Sequence, residues 1–557
     1  MNTIRRWVAI LAVGATACGG GDNQTAGGGA GQPAGNVKTL TGAPPGGSLV
    51  VLMDGEPDNL NPLTYDTKPA SDVAHLIFRN LARRDTSLSN YQPDLAQSWE
   101  LSPDSSSVIL QLRRDVRWHD GQPVTAEDVV WTIQQQQSEG IASPRRSDVA
   151  AIGEVTARDS FTVEAKLAKP GPYAVNALLE VIPAPKHLLG NVSAEQMRTH
   201  PFGRNPVGNG IFRFVNWRPG QQLTIAANPD APEGRPALNQ IVLRFVPDAN
   251  AAVTQLMGGQ EGDLLKISPE QSRTLEGANN VEVHSAARVR PGWIAWNARR
   301  APLDDVNVRR ALLMGIDRNA LVKGLFGERG EPALSPIPPR LAEHNPGARP
   351  IPFNPQMAGQ LLDQAGWRDT NGDGIRDKGG RPLRIELEYS TADQTRNDMA
   401  VAIQAMLSRI GVQLVPKPYE RTTWVSRLRA GEFQGSFWGW GWGPGVVGPN
   451  AEAVFHSRSI PPGSGVNFAR YSNPRVDALI DSALVTFDPA RNKQIWASLE
   501  QQLIDDAVYA PIFLDPELFG VNSRFANVGF RSIEWWEDVP LWHVPENRRM
   551  PRDRAGR

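Results

Sequence analysis

The chain has 557 residues, with 58 Lys and Arg against 59 Asp and Glu, and this near-neutral balance lacks the overall basic excess that normally marks a nucleic-acid or anionic-membrane binder. Hydrophobic residues at 40% and charged residues at 21% place it among globular chains long enough to bury several domain cores. A single cysteine excludes an intramolecular disulfide and leaves no set of thiols for a zinc site or an iron–sulfur cluster.

That cysteine, Cys18, closes a short N-terminal segment with two positive charges, Arg5 and Arg6, and an apolar run from Trp7 to Ala15. The run falls well short of the ~20 residues a membrane-spanning helix requires and ends in small residues, so it reads as a secretory signal. Ala15-Thr16-Ala17-Cys18 resembles the bacterial lipobox, with Ala where Leu is commoner. That resemblance implies cleavage before Cys18, acylation of its thiol and a lipoprotein whose body lies outside the cytoplasm. Residues 19–47 are rich in Gly, Ala and Pro, with almost no large apolar side chain, and predict a flexible tether reaching about 30 Å. No later apolar stretch approaches 18 residues, so the body is expected to be soluble, touching a membrane only through its lipid.

The run from Ser48 to Met53 is apolar and β-branched, bounded by glycines and by Asp54-Gly55, and predicts a buried first strand. Alternating patterns at 107–112, 161–166, 223–227, 241–246 and 383–389 predict further strands, and helical periodicity runs through 308–325 and 398–410. Thr125 and Asp128 form a variant capping box for a helix that follows the turn Trp118-His119-Asp120-Gly121. The His119-Asp120 pair invites a catalytic reading, yet neighbours on a tight turn point apart and no nucleophile accompanies them. The mixture is α/β or α+β, and 46 prolines with 52 glycines imply many loops between short elements.

Several segments in order resemble the extracellular solute-binding proteins of family 5, the oligopeptide, dipeptide and nickel receptors of bacterial ABC importers. The most specific is 112–130, LRRDVRWHDGQPVTAEDVV. It is joined by Glu56 to Pro62, Asn205 to Phe212, Asn297 with Pro302 to Ala311, Ile316-Asp317-Arg318, Ala358 to Trp367, Asn467-Phe468 and Tyr471 to Pro474. The resemblance spans about 48 to 545. It implies a two-lobed α/β periplasmic-binding-protein fold of the cluster C type, with an additional inserted domain and two crossover hinge segments. By analogy, lobe I comprises 48–86, 208–290 and 516–557, inserted domain II 87–207, and lobe III 291–515, following the signal at 1–18 and the tether at 19–47.

The run Phe437-Trp-Gly-Trp-Gly-Trp-Gly-Pro-Gly445 places Trp438, Trp440 and Trp442 on one face of an extended strand. Each tryptophan either fills a core or, because the glycines bare the opposite face, meets a ligand. The resembling peptide binders carry an Asp in this stretch that neutralises the peptide ammonium; here Gly443 occupies that position. Glu56, Asp54 or another acid then takes over, or the ligand has no free amine. By the same resemblance Glu56 and Asn59 lie at the mouth of the cleft, and Arg396 stands near a ligand carboxylate unless it is a surface Arg at a helix end. Asp369, Asn371, Asp373 and Asp377 match the early positions of a calcium loop, but Gly380 replaces its bidentate Glu, so a polar turn is the competing reading. The eight histidines show no metal-ligand spacing.

The expectation is therefore a monomeric receptor without cofactor that passes a peptide to ABC permease and ATPase subunits. An oligosaccharide ligand, and a sensor or chaperone of the same fold, are the alternatives. An exported hydrolase lacks a motif: there is no Gly-x-Ser-x-Gly elbow, His-Glu-x-x-His or phosphate loop.

Overall fold

The apolar run Ser48–Met53 is buried at every position and pairs in parallel with a strand on each side, Gln240–Phe245 and Leu264–Ile267. A strand covered on both faces needs this unbroken apolar composition. It is central to a seven-stranded sheet ordered Val281–Ser285, Leu518–Asn522, Leu264–Ile267, Ser48–Met53, Gln240–Phe245, Gln222–Ala227 and Phe212–Arg218. The structure, a computed structural model, describes residues 39–554 except 86, 87, 89, 287, 288, 443–446, 464, 516 and 531–533. The secretory signal, Cys18, most of the tether and Gly443 thus lie outside the described residues.

A second sheet of six strands runs Glu331–Pro332, Tyr509–Leu514, Pro291–Trp296, Gly435–Gly439, Arg384–Ser390 and Gln413–Tyr419, and a third of four runs Ala96–Leu101, Ser107–Leu112, Thr162–Leu167 and Ile152–Asp159. The seven-stranded sheet collects strands from three separate stretches of chain, whereas the other two are each built from one. Separate apolar clusters lie on the six-stranded sheet, one around Ile294, Leu387 and Phe437 and another around Trp293, Trp442 and Phe455. This is a two-lobed α/β arrangement in which the chain crosses between the two large sheets twice, from Ser285 to Pro291 and from Leu514 to Leu518.

Two expectations are corrected. Residues 39–47, read as tether, pack on the body: Thr39 bridges to Arg235, the Gly46 amide donates to the Ala237 carbonyl at 2.8 Å, and Arg549 donates to the Pro44 and Pro45 carbonyls. Backbone hydrogen bonds order this stretch, which apolar content alone does not foretell. The helix expected over 308–325 is two, Val306–Met314 and Arg318–Phe326, because Asp317 caps the second by accepting from the Ala320 amide at 3.0 Å.

The signature around 112–130 is a structural knot. Asp128 accepts from the Thr125 amide at 2.9 Å and from the Lys186 amide at 3.0 Å, beneath the buried Trp118. His119 turns to the Gly210 carbonyl at 3.1 Å while Asp120 meets His187 at 2.7 Å, so the two point apart and form no catalytic pair. Burial holds the His119 imidazole down at a pKa of about 4, hence neutral. Asn297 and Asn467 likewise spend their side-chain amides on loop carbonyls: Gly431 and Phe433 for the first, His456 and Tyr471 for the second. A buried amide that joins loops this way costs about 1–3 kcal/mol when one partner is removed.

Candidate ligand site at the crossovers

The two crossovers stay hydrogen bonded to each other as they leave one sheet for the next. Ser285 pairs with Leu518 in the first sheet and Pro291 with Leu514 in the second; between them the Ala286 amide donates to the Glu517 carbonyl at 2.9 Å and the Asp515 amide to the Arg290 carbonyl at 2.8 Å. A two-stranded ribbon of this kind keeps two lobes in register while its few residues can bend.

The tryptophan run begins at this junction. Gly292 pairs with Gly439 and Trp293 with Trp438, so the strand Gly435–Gly439 ends beside the crossover. The single shared face expected for the three tryptophans is corrected here: only Trp438 lies within the strand, and the chain beyond Gly439 leaves the ladder. Trp442 is fully buried, packed edge-on to Trp293 at 6.4 Å and against Phe455 at 5.7 Å, with its amide on the Val289 carbonyl at 3.0 Å. It fills the core and holds the crossover. Trp438 and Trp440 are half-buried, 6.3 Å apart, and Trp438 also meets Trp424 and Phe468. Among the described residues neither indole N–H has a hydrogen-bond partner.

The glycines between them admit charge. A Cβ on Gly441 would stand 3.4 Å from the Arg290 guanidinium, and one on Gly439 would stand 3.8 Å from that of Arg396. Arg396 lies in the first turn of the helix Gln394–Ser408 and pairs with Asp393 at 3.1 Å. Asp515 sits among these groups: burial raises its carboxyl above the ordinary value, and the charges of Arg290 and Arg396 offset only part of that rise. Arg290 and Asp515 carry no motif; the only signal was an acid directly after the wholly apolar strand Tyr509–Leu514.

Glu56 and Asn59 belong to a different neighbourhood. Glu56 accepts from the Trp217 indole at 2.7 Å and the Gly220 amide at 2.9 Å and pairs with Arg204, which lies over the Trp217 ring. Asn59 is buried, with its carbonyl oxygen accepting from the Asn61 amide and the Thr64 hydroxyl and its amide donating to Asp58. Both shape the loop after the first strand, and neither touches the tryptophan run. In the 369–377 loop, Asp369 accepts from the Gly372 and Gly374 amides, Asn371 from Asp373, Asp373 from Ile375, and Asp377 turns to Thr370. These oxygens cap their own backbone as a polar turn, and among the described residues no group of three or more His, Cys, Asp or Glu is placed to hold a metal.

A further polar contact lies away from the crossovers. Tyr173, on the helix Pro172–Leu179, donates to Glu343 at 3.2 Å and packs in the apolar cluster of Trp293 and Trp442. Burial raises the pKa of both groups, so the phenol keeps its proton and donates. Among the described residues no helix is long and apolar enough to cross a membrane.

Residues 90–461 match the family model of the bacterial extracellular solute-binding proteins, family 5. The oligopeptide-binding protein AppA of Bacillus subtilis is 31% identical over 90% of this chain and 91% of its own. The di/tripeptide-binding protein 2 of Pseudomonas aeruginosa is 26% identical over 86% of this chain and 91% of its own. Among solved structures, Bacillus subtilis AppA in complex with a nonapeptide superposes with a TM-score of 0.71 at 27% identity, over 90% of this chain and all of that one (100%). The substrate-binding protein CtaP of Listeria monocytogenes shares the fold, with a TM-score of 0.79 at 23% identity, over 90% of this chain and 100% of its own. The chain therefore belongs to the bacterial extracellular solute-binding proteins, family 5.

Proposed function

We propose that this protein is the receptor of an ABC importer and captures an oligopeptide between its two lobes. The observation that carries the reading is the paired crossover: two hydrogen-bonded chains join the sheets, and half-buried tryptophans with opposed charges gather at that junction. The names of the Bacillus and Pseudomonas relatives support peptide as the cargo. On this reading lobe I comprises 48–86, 208–290 and 516–557, an inserted domain spans 87–207, and lobe III spans 291–515. Bending at the ribbon brings the lobes together, and contacts such as Tyr173 to Glu343 belong to the closed form that a permease recognises.

Within the site, Trp438 and Trp440 offer faces for side chains, and Arg396 takes the peptide carboxylate in exchange for Asp393. Asp515 stands in for the acid missing at Gly443 and receives the peptide ammonium. Binding without reaction accounts for the site. Acylation at Cys18 anchors the protein on the outer side of a membrane.

Native mass spectrometry of the mature chain from its own cells tests the reading by weighing what it retains. Masses forming peptide series support it. Hexose-spaced masses would move the cargo to oligosaccharide and assign the tryptophans to sugar stacking.

A further inference from the structure

The strand Pro291–Trp296 enters the six-stranded sheet at the crossover and leaves it about 17–20 Å away. At that far end lies a cavity of about 460 Å³, lined by Arg299, Arg300, Arg429 and Arg470 together with Asn297 and Gly431, and no acidic side chain lines it. Among the described residues none of these four guanidiniums forms an ion pair with a carboxylate, whereas the buried Arg79 and Arg524 do.

The cavity is built by the fold. The buried Asn297 donates to the Gly431 and Phe433 carbonyls, both at 3.1 Å, and accepts from the Arg299 amide at 3.2 Å, which fixes the turn carrying Arg299 and Arg300 against the end of the helix Arg421–Ala430. The Ala298 amide donates to the Ala469 carbonyl at 2.9 Å and so ties the same turn to Arg470. Gly431 caps that helix at φ +71, and a Cβ there would come within 2.7 Å of the Arg470 guanidinium. Arg470 reaches the space Gly431 leaves and donates to the Pro461 and Arg429 carbonyls. Burial, and then the charge of Arg299, make Arg470 a costlier cation than an exposed one. The negative end of the helix dipole offsets part of one charge out of four.

We propose that this far-end cavity binds an oxyanion, a phosphate-bearing group held by the guanidinium forks of the arginines that line it. Its volume lies within the ~300–1,000 Å³ of small-molecule sites and exceeds what a lone inorganic ion fills. The phosphate can come from a free solute or from a lipid headgroup. The site is independent of the peptide reading, since it lies at the opposite end of the sheet from the crossover.

The test titrates pyrophosphate into the full mature chain by calorimetry and measures cosedimentation with vesicles of phosphatidylcholine alone and of roughly three parts phosphatidylcholine to one of phosphatidylglycerol. Both are repeated with the double variant Arg299→Ala/Arg300→Ala, whose exposed side chains leave folding intact, as a thermal melt checks. Saturable pyrophosphate binding that weakens about tenfold or more in the variant, and weakens with added salt, supports a free anion. A preference for the anionic vesicles that the variant abolishes supports a headgroup. Absence of both in the parent protein, or binding unchanged in the variant, overturns the proposal.

Discussion

The two ends of the six-stranded sheet share strands but differ in how charge is managed. At the crossover end, Arg396 pairs with Asp393 and Asp515 lies in the field of Arg290 and Arg396, so positive and negative groups face each other around two half-buried tryptophans. At the far end, four arginines line one cavity with no acid beside them. The difference teaches that a site for a zwitterion is built from opposed charges that can exchange partners with the ligand, whereas an unbalanced cluster selects a single sign. It also separates tryptophans of the same run: Trp442 belongs to the core beneath the crossover, and Trp440 to its surface.

The largest expected effect breaks that last distinction. Trp442→Ala removes a fully buried indole and should cost about 3–5 kcal/mol of stability, read as a lowered denaturation midpoint. Trp440→Ala should leave the midpoint nearly unchanged and weaken peptide affinity by about thirtyfold, the scale of an interface anchor of ~2 kcal/mol. Equal affinity in a well-folded W440A variant would remove that residue from the site. Asp515→Asn should weaken peptides with a free N-terminus about tenfold and leave N-acetylated peptides unaffected, which a paired calorimetric titration reads. A loss of equal size for both peptides would make Asp515 a hinge residue rather than a ligand group.

The contact of Tyr173 with Glu343 carries a pH dependence. Burial lifts the Glu343 carboxyl above its ordinary value of 4.5, so the closed form holds a proton that an exposed Glu343 releases. Affinity therefore falls as pH rises from 4.5 through the raised value and levels off above it. Glu343→Gln should remove this component, read as a flatter pH profile than that of the parent. The smallest effect is expected from Arg299→Ala/Arg300→Ala, which should change peptide affinity by less than about twofold because the far end is remote from the crossover.

Much of the fold was legible because it rests on local signals: the apolar run of Ser48–Met53, the Thr125 and Asp128 cap, and alternation in the sheet strands. The site was legible only as a neighbourhood. Trp440 and Arg396 lie on elements the sequence marks, and the structure brings their surroundings together through Gly439. Asp515 and Arg290 meet because two crossovers more than two hundred residues apart in sequence run side by side, a pairing no local pattern carries. Glu56 misled for the opposite reason: its carboxylate is already committed to Trp217 and Gly220, partners far away in sequence. Period two predicted one face for three tryptophans, but the ladder ends at Gly439 and the geometry that justified the period ends with it.

The most direct test of the account is hydrogen exchange read by mass spectrometry, with and without a saturating peptide. Slowed exchange is expected at both crossovers, 286–290 and 515–517, through 438–442, and around the contact of Tyr173 with Glu343, with the far end around Arg299 and Arg470 unchanged. Protection concentrated at the far end, or absent from the crossovers while the peptide is bound, would contradict it.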